Sequence, residues 1–375
     1  MRDARESRDN RDFDPHTVVM KRAISLFQLT APRAWLCLAL SLVCAIPHAF
    51  AQEATIVELA SYGGPDRMQR ITAGARREGQ LTLYTSLTAA TAAKVKADFE
   101  RRYGVKINLW RASSENIVQR VLTETRAGRS DFDVVETNGP EMESIARERV
   151  LQKIASPSFA NLIPQAVFAH REWVATRLNV FVQCYNTRLV PKDEVPKSFV
   201  ELLDPKWKGR LGIEANDADW FQTVVQDMGE PKGLALFRQL VATNGVSVRK
   251  GHALLAELVT SGEIALSLTC YSFKIDQDRK AGAPIDWTSF GPLLARPNGE
   301  GISRRAKHPH AAMLFYEYML NEAQPLLAQL ELAPVSTRVE STLRGRQVRF
   351  IDPKAVLDES DKWDKLYQEI FVQRR

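Results

Sequence analysis

Three short polar clusters each follow an alternation of apolar residues that reads as a strand: Thr85 with Ser86, Arg111 with Ser113 and Ser114, and Thr137 with Asn138. Hydroxyls, an amide and a guanidinium donate hydrogen bonds. Two of the clusters also open predicted helices, where unpaired backbone N–H groups and the helix dipole favour negative charge. The chemistry this pattern points to is the holding of an anionic group. The same residue types cap helices with no ligand present, so capping and binding stand side by side at each position. The pairing that could make and break bonds is Cys270 as nucleophile with His252 as base. Residues 52–375 contain no phosphate-cradling loop, zinc-protease helix, G-x-S-x-G elbow or Cys-x-x-Cys pair.

The elements that must position these clusters follow from periodicity. A strand over 81–84 precedes a helix whose apolar face is Val95, Phe99 and Tyr103, ended by Gly104; a strand over 105–109 precedes a helix with Ile117, Val118, Val121 and Leu122 on one face; and a strand over 132–135 follows Gly128. This βαβαβ order calls for a parallel sheet covered on both faces, with ligands beyond the carboxyl ends of the strands, where the polar clusters lie. A second α/β region is predicted after residue 171, with an apolar run over 178–182, strands over 209–213 and 264–268, and helices over 220–228 and 234–240. Residues 287–301 read as irregular and Gly-rich. His308-Pro309-His310 reads as a solvent-facing entry to a helix over 311–320, and Trp173, Trp207 and Trp287 as packing residues.

The chain has 375 residues, 45% of them hydrophobic and 26% charged, which suits about two globular domains. Lys21, Arg22 and Arg33 precede an apolar run over 34–46 that ends at Pro47-His48-Ala49-Phe50-Ala51. The run is shorter than the ~20 residues of a membrane span, and the small residues Ala49 and Ala51 suit a signal peptidase, so a signal peptide cleaved after Ala51 is predicted. Residues 1–19, dense in Arg and Asp, look unlike a secretory start, and Met20 is the more usual beginning. Seven basic and five acidic residues lie within 1–51, so the formal charge of +6 becomes +4 for the remainder. A charge so small and so evenly spread argues against a nucleic-acid partner. Cys184 and Cys270 would meet an oxidising compartment after export, but their positions alone do not show that they pair.

Several segments together resemble bacterial extracellular solute-binding proteins of the family that includes the periplasmic ferric-ion-binding proteins, over roughly residues 68–338. They are Glu78-Gly79-Gln80-Leu81-Thr82-Leu83-Tyr84-Thr85-Ser86, Phe132-Asp133-Val134-Val135, Cys184-Tyr185-Asn186-Thr187, Ser261-Gly262-Glu263-Ile264-Ala265-Leu266 and, most specifically, the run from Pro196 through Asp204-Pro205-Lys206-Trp207-Lys208-Gly209-Arg210-Leu211. The resemblance implies an α/β, two-lobed type II periplasmic-binding-protein fold. Each lobe would be a mainly parallel sheet flanked by helices, with residues 52–177 and 287–375 in the first lobe and 178–286 in the second. It implies a non-enzymatic, monomeric periplasmic protein without cofactor that closes on a small-molecule ligand and delivers it to an ABC permease in the inner membrane.

Ferric-binding members are expected to hold the metal through two adjacent tyrosines, a histidine and a carboxylate. Here the corresponding stretch is Thr269-Cys270-Tyr271-Ser272, with one tyrosine, and the loop from Tyr84 to Thr88 has no histidine. The departure directs the first expectation to an organic or phosphorus-containing anion. Arg111, Arg249, Lys250 and His252 would donate to it, Trp220 and Tyr271 would give flat contacts, and Asp217 and Asp219 would act as ligand contacts or helix caps. Ferric ion held by Tyr271 with an external anion is the alternative, and a cysteine-dependent hydrolase the third reading. Mass spectrometry of the exported protein should find its N-terminus at Gln52.

Overall fold

The computed structural model describes residues 56–373, so the expected signal peptide and its cleavage point lie outside the described residues. The first stretch runs α1 (Arg67–Glu78), β1 (Gln80–Thr85), α2 (Ala89–Tyr103), β2 (Lys106–Arg111), α3 (Ser114–Arg126), β3 (Val134–Asn138) and α4 (Gly139–Arg147). β1 lies parallel to β2 on one side and to β3 on the other. Thr88 and Ser113 cap α2 and α3 by accepting the backbone N–H groups of Thr91 and Asn116. Gly104 ends α2 at φ 69°, a left-handed conformation that strains any side chain with a Cβ.

The next stretch contains β4 (Val174–Asn186), β5 (Leu211–Glu214), α5 (Ala218–Met228), α6 (Glu230–Asn244), β6 (Ser247–Arg249), α7 (His252–Ser261), β7 (Leu266–Tyr271), α8 (Ser272–Lys280) and β8 (Ile285–Thr288). β5 lies parallel to β6 and to β7. The chain continues through β9 (Leu293–Ile302), α9 (Pro309–Leu320), α10 (Ala323–Gln329), β10 (Ala333–Pro334), β11 (Val348–Phe350), α11 (Pro353–Asp358) and α12 (Ser360–Tyr367). Ser360–Tyr367, expected with the first lobe, packs against α5, where the rings of Trp363 and Tyr367 meet Phe221. Among the described residues no helix is long and apolar enough to cross a membrane.

Among the described residues the strands join one sheet, whose main path is β2-β1-β3-β9-β4-β7-β5-β6. Its two ends are parallel blocks and its middle is antiparallel: β9 pairs with both β3 and β4, and β4 pairs onward with β7. β4 and β9 therefore cross between the blocks, and both are buried along their whole length. The expectation of irregular chain over 287–301 is corrected by β8 and β9. Arg296, Asn298 and Glu300 face the interior, where they break the apolar alternation that marks a strand in sequence. Gly299 is needed for close approach, since a Cβ there would sit 2.4 Å from the Val174 carbonyl oxygen.

His308 and His310 are not a solvent-facing pair. The backbone N–H and Nδ1 of His308 both bind the Asp133 carboxylate, and those of His310 bind Glu78, which also accepts the Ala311 N–H at 2.8 Å. Two carboxylates thus satisfy the free donors at the start of α9.

Cys184 of β4 and Cys270 of β7 form a disulfide with Cα atoms 5.9 Å apart, closing a loop of 86 residues. Both sulfurs are thereby engaged, which leaves Cys270 no thiol to serve as nucleophile. A cross-link over that many residues stabilises by about 4 kcal/mol through the unfolded chain. Reduction, or a Cys184→Ser/Cys270→Ser double variant, should lower the melting temperature by roughly 5–10 °C in a thermal scan.

Candidate functional site

The carboxyl ends of the strands in both parallel blocks converge on a cavity of about 260 Å³. The first block contributes Ser86 after β1, Arg111, Ser113 and Ser114 after β2, and Asn138 and Glu141 after β3. The second contributes Glu214 and Asp217 after β5, Lys250 and His252 after β6, and Tyr271 and Lys274 after β7, while the crossing strands add Arg177, Asn179, Arg296 and Asn298. Asn216 Nδ2 donates to Glu115 Oε1 at 3.2 Å and so bridges the blocks across the mouth. A larger groove of about 830 Å³ beside Lys208, Arg238 and Glu369 gathers no such convergence of strand ends.

Two buried arginines organise the floor. Arg177 donates to Glu136 and, through Nη2, to Asn298 Oδ1 at 3.1 Å, and Asn298 Nδ2 donates to Asn138 at 2.7 Å. Arg296 bonds Asp219 Oδ2 at 3.0 Å and donates to the Tyr271 hydroxyl, with its guanidinium 4.9 Å from the centre of the Phe181 ring. Beside Tyr271, His252 Nε2 lies 3.1 Å from Asp217 Oδ1, and the His252 ring lies 3.7 Å from that of Tyr271. Glu214 accepts the Gly251 N–H at 2.8 Å and that of Asn216. One ligand-type atom from each of Glu214, Asp217 and His252 falls within 4.8 Å of the others.

The carboxyl groups divide by environment. Burial and the negative charge of Asp217 push Glu214 above its ordinary range. Burial also acts upward on Asp217, but His252 and Arg296 outweigh it and hold that carboxyl below its usual range. Glu141 is pushed up to about 7 by burial, opposed by Arg296 and reinforced by Asp219. Around the same cavity, Arg177 Nε, Arg296 Nε, Asn179 Oδ1, Asp217 Oδ2 and His252 Nδ1 are buried with no protein partner. Each such atom costs about 1–3 kcal/mol if left unsatisfied.

Of the residues expected to bind, Ser86, Arg111, Ser113, Ser114, Asn138, Asp217, His252 and Tyr271 line the cavity, as does Lys250. Thr85 turns inward and donates to Glu136, and Thr137 is buried beneath the surface. Asp219 stands behind Arg296 as its counter-charge. Trp220 is not a cleft contact: it is buried with its ring 5.8 Å from Phe199 and 5.9 Å from Phe237, because α5 turns this apolar face into the core. Arg249 is spent on Glu263 at 3.2 Å, outside the cavity. The sequence reading missed Arg177, Arg296, Glu141, Glu214 and the strand amides. An arginine inside an otherwise apolar run, as in Val174-Ala175-Thr176-Arg177-Leu178, is the signal that was available, whereas nothing in sequence marks Glu141.

Residues 94–342 match the family described as bacterial extracellular solute-binding protein, and the chain belongs to that family. It is therefore a solute-binding component of an ABC importer, a small-molecule carrier that serves a permease. Iron uptake protein A1 of Synechocystis sp. is 27% identical over 290 residues, 72% of this chain and 79% of that protein. The Fe(3+)-binding periplasmic protein of Serratia marcescens is 25% identical over 234 residues, 59% of this chain and 68% of that one. The solved structure of the periplasmic binding protein AfuA from Actinobacillus pleuropneumoniae, with exogenous fructose-6-phosphate bound, superposes with a TM-score of 0.71 at 19% identity, covering 79% of this chain and all of that one. The fold is accordingly the type II periplasmic-binding-protein architecture, two α/β blocks around a cleft.

Because Glu136 and Arg177 are buried together, removing one partner should leave an uncompensated charge. Arg177→Ala should destabilise the protein by about 3–5 kcal/mol in chemical denaturation. Adding Glu136→Gln should recover part of that loss.

Proposed function

We propose that this protein captures ferric ion together with a small oxyanion in the cleft, by closure of the two blocks as lobes, and presents the cargo in the periplasm to its permease. The observation that carries the reading is the grouping of Glu214, Asp217 and His252 within 4.8 Å, on a wall that also carries Tyr271. A hard trivalent cation prefers anionic oxygen, and two carboxylates, a phenol and an imidazole form a donor set of that kind. Asp217 Oδ2 and His252 Nδ1 are buried without a hydrogen-bond partner and are the atoms this reading turns to the metal. The unpaired Nε groups of Arg177 and Arg296, with Arg111 and Lys250 beside them, favour an anion next to it. The names of the two relatives, an iron uptake protein and an Fe(3+)-binding protein, favour this reading over the organic anion first expected.

The second reading, an organic or phosphorus-containing anion without metal, draws on those same arginine donors and on the sugar phosphate in AfuA. Ferric citrate or ferric phosphate added to the purified protein should give a visible phenolate-to-iron charge-transfer band that Tyr271→Phe abolishes. A colourless protein whose melting temperature rises with hexose phosphate alone would sink the ferric reading and favour the second.

The two cargoes also respond oppositely to pH. Glu141 loses its proton as pH rises through about 7, which adds a negative charge to the cavity wall. The ratio of wild-type to Glu141→Gln affinity should therefore rise between pH 6 and 8 for a ferric cargo and fall for a free anion. Titration calorimetry of the two proteins at both pH values checks this.

A further inference from the structure

We propose that residues 348–372 form a strap that ties the two blocks together and biases the unliganded cleft towards closure, whatever the cargo. The segment begins on a crossing strand, where β11 pairs in parallel with β9 from Val348 opposite Leu293 to Phe350 opposite Ala295. It then docks on each block in turn. α11 packs on α4, at the cleft end of β3, with Pro353 so near Gly139 that a Cβ there would meet it at 2.8 Å. Arg147 of α4 completes this dock by bonding Asp358 Oδ1 at 2.6 Å. α12 and the turn after it pack on α5 and α6 of the other block, where Phe221 meets the rings of Trp363, Tyr367 and Phe371 at 5.9, 5.7 and 5.5 Å.

The two docks differ in composition. Trp363, Tyr367 and Phe371 are each 1% exposed, so the α12 dock is a piece of core. The Arg147–Asp358 pair is about two-fifths exposed, and exposed pairs hold weakly. Opening of the cleft must move α4 away from α5, so it must either bend the chain at residues 358–360 or release α11. The α12 dock also reaches the site directly, because the Tyr367 hydroxyl donates to the carbonyl of Glu214, whose carboxylate lies on the cavity wall. The strap is thus a third connection between the blocks beside β4 and β9, and the α11 dock, a short helix whose charged tie is exposed, is the part that yields.

The test needs no ligand, so its outcome is separable from that of the ferric reading. Spin labels placed at the exposed positions Leu109 and Leu254, one on each block, report the separation of the blocks in the unliganded protein by pulsed electron resonance, with the native disulfide intact. Inserting two glycines between Glu359 and Ser360 should shift the distance distribution to longer values and raise the radius of gyration in solution scattering. Asp358→Ala removes only two exposed ion pairs, to Arg147 across the dock and to Lys354 within α11, and should give a smaller shift in the same direction even if the insertion fails to fold. Distributions unchanged from wild type in Asp358→Ala and in a folded insertion variant would overturn the proposal.

Discussion

Two guanidinium groups are buried where the crossing strands pass under the cleft, and much of the surrounding chemistry follows from having to satisfy them. Arg177 and Arg296 are 3% and 5% exposed. An ion taken so far out of water loses several kcal/mol of hydration, which only close counter-charges and hydrogen bonds restore. Glu136 and Asp219 supply the charges, and Asn298 and the Tyr271 hydroxyl supply further acceptors. Thr85 in turn donates to Glu136, and Asn298 to Asn138. A set of residues that looks from sequence like a row of separate ligand contacts is thus partly a bonded floor.

That floor determines what the cavity can hold. Each arginine gives one N–H of each Nη to a protein partner and leaves its Nε without one, so both guanidinium groups are held in a fixed orientation. Next to the floor stand carboxylates of different character: Asp217, held below its usual range by His252 and Arg296, and Glu214, pushed up by burial and by Asp217. The lining thus brings hydrogen-bond donors and carboxylates together around one cavity.

The parallel blocks were legible because their strands and helices keep the periods of 2 and 3.6: the strand expected at 81–84 is β1 and the helix ended by Gly104 is α2. The polar ends of β1, β2 and β3 were legible as a group for the same reason, although sequence could not say which of two neighbours faces the cleft. Thr85 and Ser86 are adjacent, and their side chains go opposite ways, one into the floor and one into the cavity. β9 was illegible because its interior face is polar, paired through contacts some 120 to 160 residues away in the chain. Trp220 misled because an aromatic next to two aspartates fits a binding wall as well as it fits a helix face turned to the core. Only the packing against Phe199 and Phe237 separates the two.

The end of β7 shows how these constraints combine at one position. Tyr271 and Cys270 are neighbours, and alternate residues of a strand face opposite ways. Tyr271 lines the cavity, and Cys270 is directed to β4, where its sulfur joins Cys184. The sulfur one residue before Tyr271 is thus given to a covalent tie between a crossing strand and the strand that presents Tyr271. Glu214 and Asp217 carry carboxylate oxygens on the same wall as Tyr271. Tyr271 is fixed from two directions, by the disulfide one residue before it and by Arg296 at its hydroxyl. On the proposed reading, a single phenol so held needs no ordering when the cargo arrives, and the entropy that a mobile side chain would lose on binding does not oppose capture.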